Sequence, residues 1–181
     1  MKKVVAIVGM SGAGKSYAAN ILEELGWKKI YFGGVIMDRL KEAKLDVTPE
    51  NEKMVRESLR AEYGMGAVIR FLLPTILSSV EQENTVLDGL YSWDELKILQ
   101  HELKDNLTVI AVISDRAIRY DRLSKRPVRP FTNEEALERD FSEIEKLAKA
   151  GPIALADFYI DNNCNDLTKY KKRLLEIIEM I

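Results

Sequence analysis

A glycine-rich segment lies between a short apolar run and a helix-forming stretch near the start of this chain. The apolar run is Val4 to Val8, and residues 9–16 after it read Gly-Met-Ser-Gly-Ala-Gly-Lys-Ser. This is the pattern G-x-x-x-x-G-K-[ST] in the strand-to-helix setting that a phosphate-binding loop requires. Glycines permit positive φ angles, so successive N–H groups can converge on an anion, and the helix N-terminus adds its dipole. The segment therefore predicts a nucleoside triphosphate site.

Each position of this loop has an expected role. We expect Lys15 to act catalytically by reaching the β- and γ-phosphates, and the Ser16 hydroxyl to ligate Mg²⁺. The expected nucleotide contacts are Gly9, Ser11, Gly12, Ala13, Gly14, Lys15, Ser16 and Tyr17. An ordinary glycine-rich turn is the competing interpretation, which the flanking segments disfavour. The predicted cofactors are ATP and Mg²⁺.

Apolar runs of strand type alternate with helix-like segments along the chain. They are Val4 to Val8, Lys29 to Phe32, Thr85 to Leu87, Leu107 to Ile113 and Phe158 to Ile160. Such alternation predicts a parallel sheet with helices on both faces, and a last helix follows the polar pair Asn165-Asp166. We predict an α/β protein with the three-layer α/β/α P-loop NTPase fold and a five-stranded parallel sheet. A helical acceptor-binding insertion is expected at about residues 33–82 and a short lid at about 116–135.

Length and charge limit the classes of protein that this chain can represent. Its 181 residues suit a single domain spanning 1–181, and a net charge of −2 gives no global attraction to nucleic acid or anionic membranes. Cys164 is the only cysteine, which excludes an internal disulfide framework. The first apolar run is too short for a signal peptide or a membrane span. We expect a cytoplasmic monomer or weak homo-oligomer without nucleic-acid or membrane partners.

An acidic residue follows the third apolar run directly. Asp88 stands between Leu87 and Gly89. In P-loop proteins an acidic residue at the tip of a neighbouring strand lies near the phosphate loop and holds Mg²⁺ directly or through water. An Asp-Gly pair alone more often marks a turn, but the presence of a phosphate loop in the same chain favours the metal-binding interpretation. Asp88 is therefore predicted as a catalytic residue and as the metal partner of Ser16.

A basic cluster occupies residues 116–129, with Asp121 as its single acidic residue. Its members are Arg116, Arg119, Arg122, Lys125, Arg126 and Arg129. Prolines at 127 and 130 interrupt the segment, and the capping-box sequence Thr-Asn-Glu-Glu at 132–135 predicts a new helix. A helix, a loop with arginines and a returning helix would form a lid over the triphosphate, with Arg122 and Arg126 as donors to the transferring group. The alternative is a solvated basic face paired with Glu134, Glu135 and Glu138.

The phosphate loop, Asp88, the lid-like segment and the small size together resemble the nucleoside monophosphate kinase group, which includes adenylate kinase and dephospho-CoA kinase. The run Ile-Ala-Leu-Ala-Asp-Phe-Tyr-Ile-Asp-Asn-Asn at 153–163 is similar to the dephospho-CoA kinase tail. That resemblance implies that Asn162 and Asn163 lie beside the adenine of ATP. The stretch from Thr48 to Gly66 resembles instead an uncharacterised set of archaeal-type kinases related to adenylate kinase.

The chain departs from both families on the acceptor side. Dephospho-CoA kinases carry Asp-Ala-Asp at the tip of the second strand, where this chain has Tyr-Phe-Gly-Gly at 31–34. Adenylate kinases carry an aspartate and an arginine near the positions of Gly34 and Met37, and a further arginine near Tyr91. The expected acceptor-binding residues are Gly34, Arg39, Arg56, Arg60, Arg70 and Tyr91. A surface ion pair with Glu52 explains Arg56 equally well, and Asp38 is a candidate general base.

The sequence thus predicts an ATP-dependent phosphotransferase that moves the γ-phosphoryl group to a small nucleotide-like acceptor. Nucleoside monophosphates and dephospho-CoA are both retained as acceptors. A nucleotide-binding regulator or slow NTPase is the alternative, because the family's acceptor residues are missing at Gly34, Met37 and Tyr91. A P-loop protein acting on nucleic acid is disfavoured by the balanced charge.

Overall fold

The computed structural model describes residues 2–164 and 166–181, so the expected polar position at Asn165 lies outside the described residues. The strands are β1 (Val4–Val8), β2 (Lys28–Tyr31), β3 (Thr85–Asp88), β4 (Leu107–Ile113) and β5 (Phe158–Asp161). The helices are α1 (Lys15–Glu24), α2 (Gly33–Glu42), α3 (Pro49–Tyr63), α4 (Ala67–Gln82), α5 (Trp93–Leu103), α6 (Arg116–Ser124), α7 (Asn133–Glu145), α8 (Ala150–Ala154) and α9 (Leu167–Met180). A 3-10 turn, Lys104–Asn106, connects α5 to β4.

The strands form one parallel sheet in the order β2-β3-β1-β4-β5. Every residue of β1 is buried, which explains why its sequence shows no polar alternation. Ile7 aligns with Asp88 on one side and with Ile110 on the other, and Asp88 also aligns with Tyr31. The predicted five-stranded α/β P-loop fold is confirmed, with strand ends that differ by a residue or less from the apolar runs.

Alternate residues of the sheet pack into two separate cores. Val4, Ala6 and Val8 face a core that includes residues of α2, α4 and α5. Val5 and Ile7 face the opposite core, which α1 and α9 complete. Because the carboxyl ends of parallel strands share one edge, β1, β2 and β3 bring the glycine-rich loop, Tyr31 and Asp88 to the same edge.

Two helical segments flank this edge. Helices α2, α3 and α4 lie between β2 and β3, and α6 and α7 follow β4. Helix α7 starts with the predicted capping box: Thr132 Oγ1 accepts from Glu135 N at 3.2 Å, and Glu135 Oε2 accepts from Thr132 N at 2.7 Å. Within the described ranges no single helix is long and apolar enough to span a membrane. The segments Glu50–Tyr63 and Ala67–Gln82 would together reach the length and apolar composition of a membrane span, but a bend of 84° separates them.

Candidate phosphate-binding site and acceptor cleft

The loop between β1 and α1 adopts a backbone shape that requires glycine. Gly9 and Gly12 have φ angles of +145° and +81°. A Cβ atom at Gly9 would lie 2.4 Å from the carbonyl oxygen of Val112, and one at Gly12 would lie 2.7 Å from that of Arg119. The loop is therefore wedged between β4 and α6, where no larger residue fits.

Side chains of Lys15 and of more distant residues hold the carbonyl oxygens of this loop. Met10 O accepts from Lys15 Nζ (3.0 Å), Ser11 O from Arg119 (3.0 Å), Ala13 O from Asn162 Nδ2 (2.7 Å) and Gly14 O from the Tyr170 hydroxyl (3.2 Å). The backbone N–H groups of Gly12, Gly14, Lys15 and Ser16 donate no hydrogen bond to the described part of the chain. With its carbonyls held and these N–H groups unpaired, the loop presents donors to an anion.

Lys15 is the basic side chain of this donor cluster. Burial, and after it the charge of Lys149, lower its pKa to about 7 against the opposing charges of Glu143 and Asp88. Its ammonium group donates only to Met10 O among the described residues. A triphosphate would supply negative charge that stabilises the ammonium form of this half-buried lysine.

Asp88 ends β3 and is 7% exposed. Burial raises the pKa of its carboxyl, against the opposing charges of Lys29 and Lys15. Its carboxylate accepts no side-chain or backbone hydrogen bond from the described residues, and Ser16 stands exposed in the first turn of α1. A carboxylate without a hydrogen bond at the end of β3 and an exposed hydroxyl in the first turn of α1 are the oxygen donors that Mg²⁺ prefers, so these residues fit the metal.

The predicted lid arginines differ in what they contact. The buried Arg119 forms a bidentate ion pair with Asp140 of α7 and also donates to Ser11 O. Arg122 donates to Ser114 Oγ at 3.1 Å and to Asn162 O at 2.8 Å, so its guanidinium holds the backbone directly after strand β5. Arg126 is exposed, and its charge acts on Lys15.

Asn162 and Asn163 lie against the phosphate loop and α6. Asn162 is buried and donates to Ala13 O, and a Cβ atom at Gly14 would lie 2.3 Å from its Nδ2. Asn163 Oδ1 accepts from Asp115 N at 2.7 Å. Both amides thus hold the loop and the β4–α6 junction together.

Sequence reasoning missed a buried charge cluster next to the loop. The Glu143 carboxylate accepts from Ser11 N (3.3 Å), Ser11 Oγ (2.8 Å), Arg139 Nε (3.0 Å) and Lys149 Nζ (2.8 Å). The Glu143 and Lys149 side chains are 1% and 0% exposed. Burial would raise the pKa of Glu143, but Lys149, Arg139 and Lys15 outweigh it and lower the value to about 2. The spacing of Arg139 and Glu143 indicates only a helical ion pair, and nothing local signals the burial.

Arg60 is the predicted acceptor residue whose surroundings are most unusual. Its Nε is buried without a hydrogen-bond partner among the described residues. Burial lowers the pKa of its guanidinium, Glu95 raises it, and Arg56 and Arg139 lower it. The Glu95 carboxylate is already bonded to the N–H groups of Tyr91 and Ser92, both at 2.9 Å. The cationic cluster consists of Arg60 and the two guanidinium groups whose charges act on it, those of Arg56 on α3 and Arg139 on α7.

The remaining predicted acceptor residues lie in varied surroundings. Arg39 pairs with Glu42 at 3.1 Å and stacks on Phe71, and Arg70 is exposed in a separate groove lined also by His101. Open space surrounds the position of a Cβ at Gly34. Tyr91 has the Lys149 ammonium 4.7 Å from its ring centre, and burial raises the pKa of its phenol.

The ion pair considered between Glu52 and Arg56 is not present in the structure. Glu52 of α3 instead accepts from Arg129 of the predicted lid at 3.3 Å. Among the described residues, the basic cluster forms no ion pair with Glu134, Glu135 or Glu138, and its pair with α7 is the buried one between Arg119 and Asp140. The lid segment thus contacts the helices between β2 and β3.

Known proteins resemble this chain over its whole length. An UPF0200 protein from Sulfurisphaera tokodaii is 33% identical over 184 residues, covering 99% of this chain and 97% of its own length. Another from Thermococcus onnurineus is 29% identical, with coverage of 98% and 97%. A family model described as an AAA domain matches residues 5–146. The chain is a UPF0200 protein of the AAA-domain family.

Solved structures with this fold include small-molecule kinases. The UPF0200 chain superimposes on TT1252 from Thermus thermophilus with a TM-score of 0.66, 19% identity and coverage of 99% and 97%. For shikimate kinase from Bacteroides thetaiotaomicron the TM-score is 0.61 and the sequence identity is 16%, with 98% of both chains covered. For a gluconokinase from Sinorhizobium meliloti 1021 the TM-score is 0.60 and the identity is 14%, with 98% of this chain and 92% of the gluconokinase covered. At these identities the likeness is one of fold, and the predicted resemblance to P-loop kinases is confirmed at that level.

Proposed function

We propose that this UPF0200 protein is an ATP-dependent phosphotransferase that acts on a small anionic acceptor. The observation that carries the proposal is the phosphate loop itself: its carbonyl oxygens are held by side chains, while several N–H groups and Lys15 remain available to an anion. Mg²⁺ held by Ser16 and Asp88 would neutralise charge on the triphosphate. Arg126 is the lid arginine that we assign to the transferring phosphoryl group, because Arg122 is engaged by Asn162.

The cationic cluster supports an acceptor that carries negative charge. Arg60 has a buried Nε without a partner, and the charges of Arg56 and Arg139 act on it. Guanidinium groups gather in this way where a phosphate or carboxylate neutralises them, and Arg suits bidentate binding of such groups. We therefore assign the anionic part of the acceptor to Arg56 and Arg60 of α3 and Arg139 of α7.

The carboxylates near Lys15 favour a phosphate oxygen as the attacking atom over a hydroxyl group. A hydroxyl acceptor such as dephospho-CoA gains from a general base, and the tip of β2 carries Tyr31. Glu143 is fully engaged by donors, which makes it a poor base, and Asp88 is assigned to the metal. An ionised phosphate needs no base to attack the γ-phosphorus atom, so we favour the nucleoside monophosphate class over dephospho-CoA.

A nucleotide-binding regulator or slow NTPase is the second candidate. The observation that favours it is Tyr91, which stands near a position where the resemblance to adenylate kinases implies an arginine. Tyr91 is half-buried and its ring contacts the Lys149 ammonium. In this function the triphosphate would bind as proposed, but no small-molecule acceptor would bind and receive the γ-phosphoryl group.

Thermal shifts distinguish the two functions. A non-hydrolysable ATP analogue with Mg²⁺ should raise the melting temperature, and one class of acceptor should raise it further, because a ligand at a hundredfold excess over Kd stabilises by about 2.7 kcal/mol. Arg60→Ala should weaken only the second shift, whereas the control Arg173→Ala, at a partly exposed side chain of α9, should change neither. A shift with the analogue and none with nucleoside monophosphates or dephospho-CoA would refute the transferase and leave the regulator.

A further inference from the structure

The Ser11 residue of the phosphate loop is held at each of its polar groups by side chains of α6 and α7. Its N–H and hydroxyl both donate to the Glu143 carboxylate, at 3.3 and 2.8 Å. Its carbonyl oxygen accepts from Arg119, which Asp140 fixes in turn. A single residue of the loop is therefore tied to α6 and α7 at once.

The Glu143 carboxylate is enclosed and fully satisfied. One oxygen accepts from Ser11 Oγ and Arg139 Nε, and the other accepts from Ser11 N and Lys149 Nζ. Lys149 is itself completely buried, and its backbone N–H donates to Glu143 O at 3.1 Å. The basic partners neutralise a carboxylate that would otherwise stand unpaired beside an anion-binding loop.

This contact lies on one side of the loop. Lys15 Nζ donates to Met10 O, so the Met10–Ser11 peptide is adjacent to the lysine that is expected to reach the β- and γ-phosphates. The opposite side of the loop, at Gly14, is held by Tyr170 and Asn162. A shift of Ser11 would therefore move the part of the loop near the lysine and leave the Gly14 side in place.

We propose that Glu143 is a positioning residue for phosphoryl transfer, which fixes Ser11 of the phosphate loop through paired hydrogen bonds, and that Lys149 keeps this carboxylate in place. The inference rests on the proposed triphosphate site. Glu143 contacts no substrate in this role: it holds the loop in the geometry that the γ-phosphoryl group needs. A misplacement of about 1 Å at such a site costs on the order of 10²-fold in rate.

Glu143→Gln tests the positioning role with little change in size. A glutamine side chain has one carbonyl oxygen and one NH₂ group, so it can accept from only one of the two Ser11 donors and directs its NH₂ group toward the other. We expect kcat for ATP consumption to fall by about 10²-fold, and the Kd of ADP to change by less than about threefold. Glu145→Gln, the same change at an exposed position of α7, should leave both quantities unchanged.

A lower kcat in Glu143→Gln could come from lost fold stability or from lost positioning of Ser11. The double variant Glu143→Gln with Lys149→Met separates these two causes. The double variant removes both buried charges, and its melting temperature should recover relative to Glu143→Gln alone. The kcat should stay low, because the bond to Ser11 is still incomplete. A return of kcat together with stability would overturn the proposal and reduce the pair to a structural ion pair.

A double-mutant cycle supplies the second readout. Ser11→Ala removes the hydroxyl bond, and the combined Ser11→Ala and Glu143→Gln variant should be no slower than Glu143→Gln alone if both act through one contact. Independent, multiplicative effects would overturn the proposal. If kcat and the Kd of ADP change in parallel in Glu143→Gln, the positioning role is likewise refuted while the nucleotide site stands. Failure of the parent protein to bind ATP or ADP would overturn the proposed function as well.

Discussion

The ion pair between Arg119 and Asp140 offers a direct test of how α6 and α7 are joined. The two side chains are only 8% and 10% exposed. Asp140 accepts from both terminal nitrogens of Arg119 and also from the Tyr120 hydroxyl at 3.2 Å. Asp140→Ala would remove these acceptors and leave a buried guanidinium with Ser11 O as its remaining partner.

The expected cost follows from the burial of the charge that stays behind. Removing one partner of a buried ion pair destabilises a protein by about 3–5 kcal/mol. For a chain of this length, a loss of 1 kcal/mol lowers the melting temperature by about 2–4 °C. Asp140→Ala is therefore expected to lower it by roughly 6–20 °C.

The assay is thermal and urea unfolding of the variant against a matched control. Asp121→Ala breaks the pair with Lys125, whose side chains are 57% and 72% exposed, so its effect should stay within about 0.5 kcal/mol. The urea slope m should remain that of the parent, since the surface exposed on unfolding is unchanged. If Asp140→Ala melts within 2 °C or so of the control, the pair does not carry the stability that its burial implies.

Further predictions concern the nucleotide site. The pKa of Lys15 is lowered to about 7, so the ammonium form that binds a triphosphate is fully populated only below that pH. The Kd of ATP should therefore rise above pH 7, by at most about tenfold per pH unit. Calorimetry of the parent protein that shows no pH dependence of this Kd would contradict the prediction. Arg126→Ala should lower kcat by about 10²-fold, whereas Arg122→Ala, which releases Asn162, should mainly raise KM for ATP; equal effects on both constants in steady-state kinetics would argue against the division. Ser16→Ala and Asp88→Asn should lose activity that added Mg²⁺ partly restores, and activity independent of metal in the parent would exclude both roles.

The sequence predicts local features of this fold well. The apolar run of β1, the loop glycines and the start of α1 are adjacent in the chain, so their pattern determines strand, turn and helix directly. The position of Asp88 beside the loop also follows, because parallel strands end at one edge of the sheet and β3 pairs with β1. The capping box at Thr132 is equally local, and it sets the start of α7.

Long-range partners of charged residues could not be predicted. Glu143 and Lys149 belong to a charged stretch of ordinary helical pattern, and only the packing of α7 against the loop buries them. Spacing places Arg122 on one helical face, yet its partner Asn162 is 40 residues further along the chain. Glu52 has the spacing to pair with Arg56 but contacts Arg129, 77 residues away. Such contacts depend on tertiary structure, which periodicity does not encode.

Transfer of the terminal phosphoryl group from labelled ATP is the measurement that decides whether this protein is a phosphotransferase. The protein is incubated with γ-labelled ATP, Mg²⁺ and, in separate reactions, each nucleoside monophosphate and dephospho-CoA, and the products are separated. We predict that label moves to a nucleoside monophosphate, that Lys15→Ala abolishes the transfer, and that this variant keeps the parent's unfolding profile. Label recovered only as inorganic phosphate with every acceptor would contradict the phosphotransferase and support the slow NTPase.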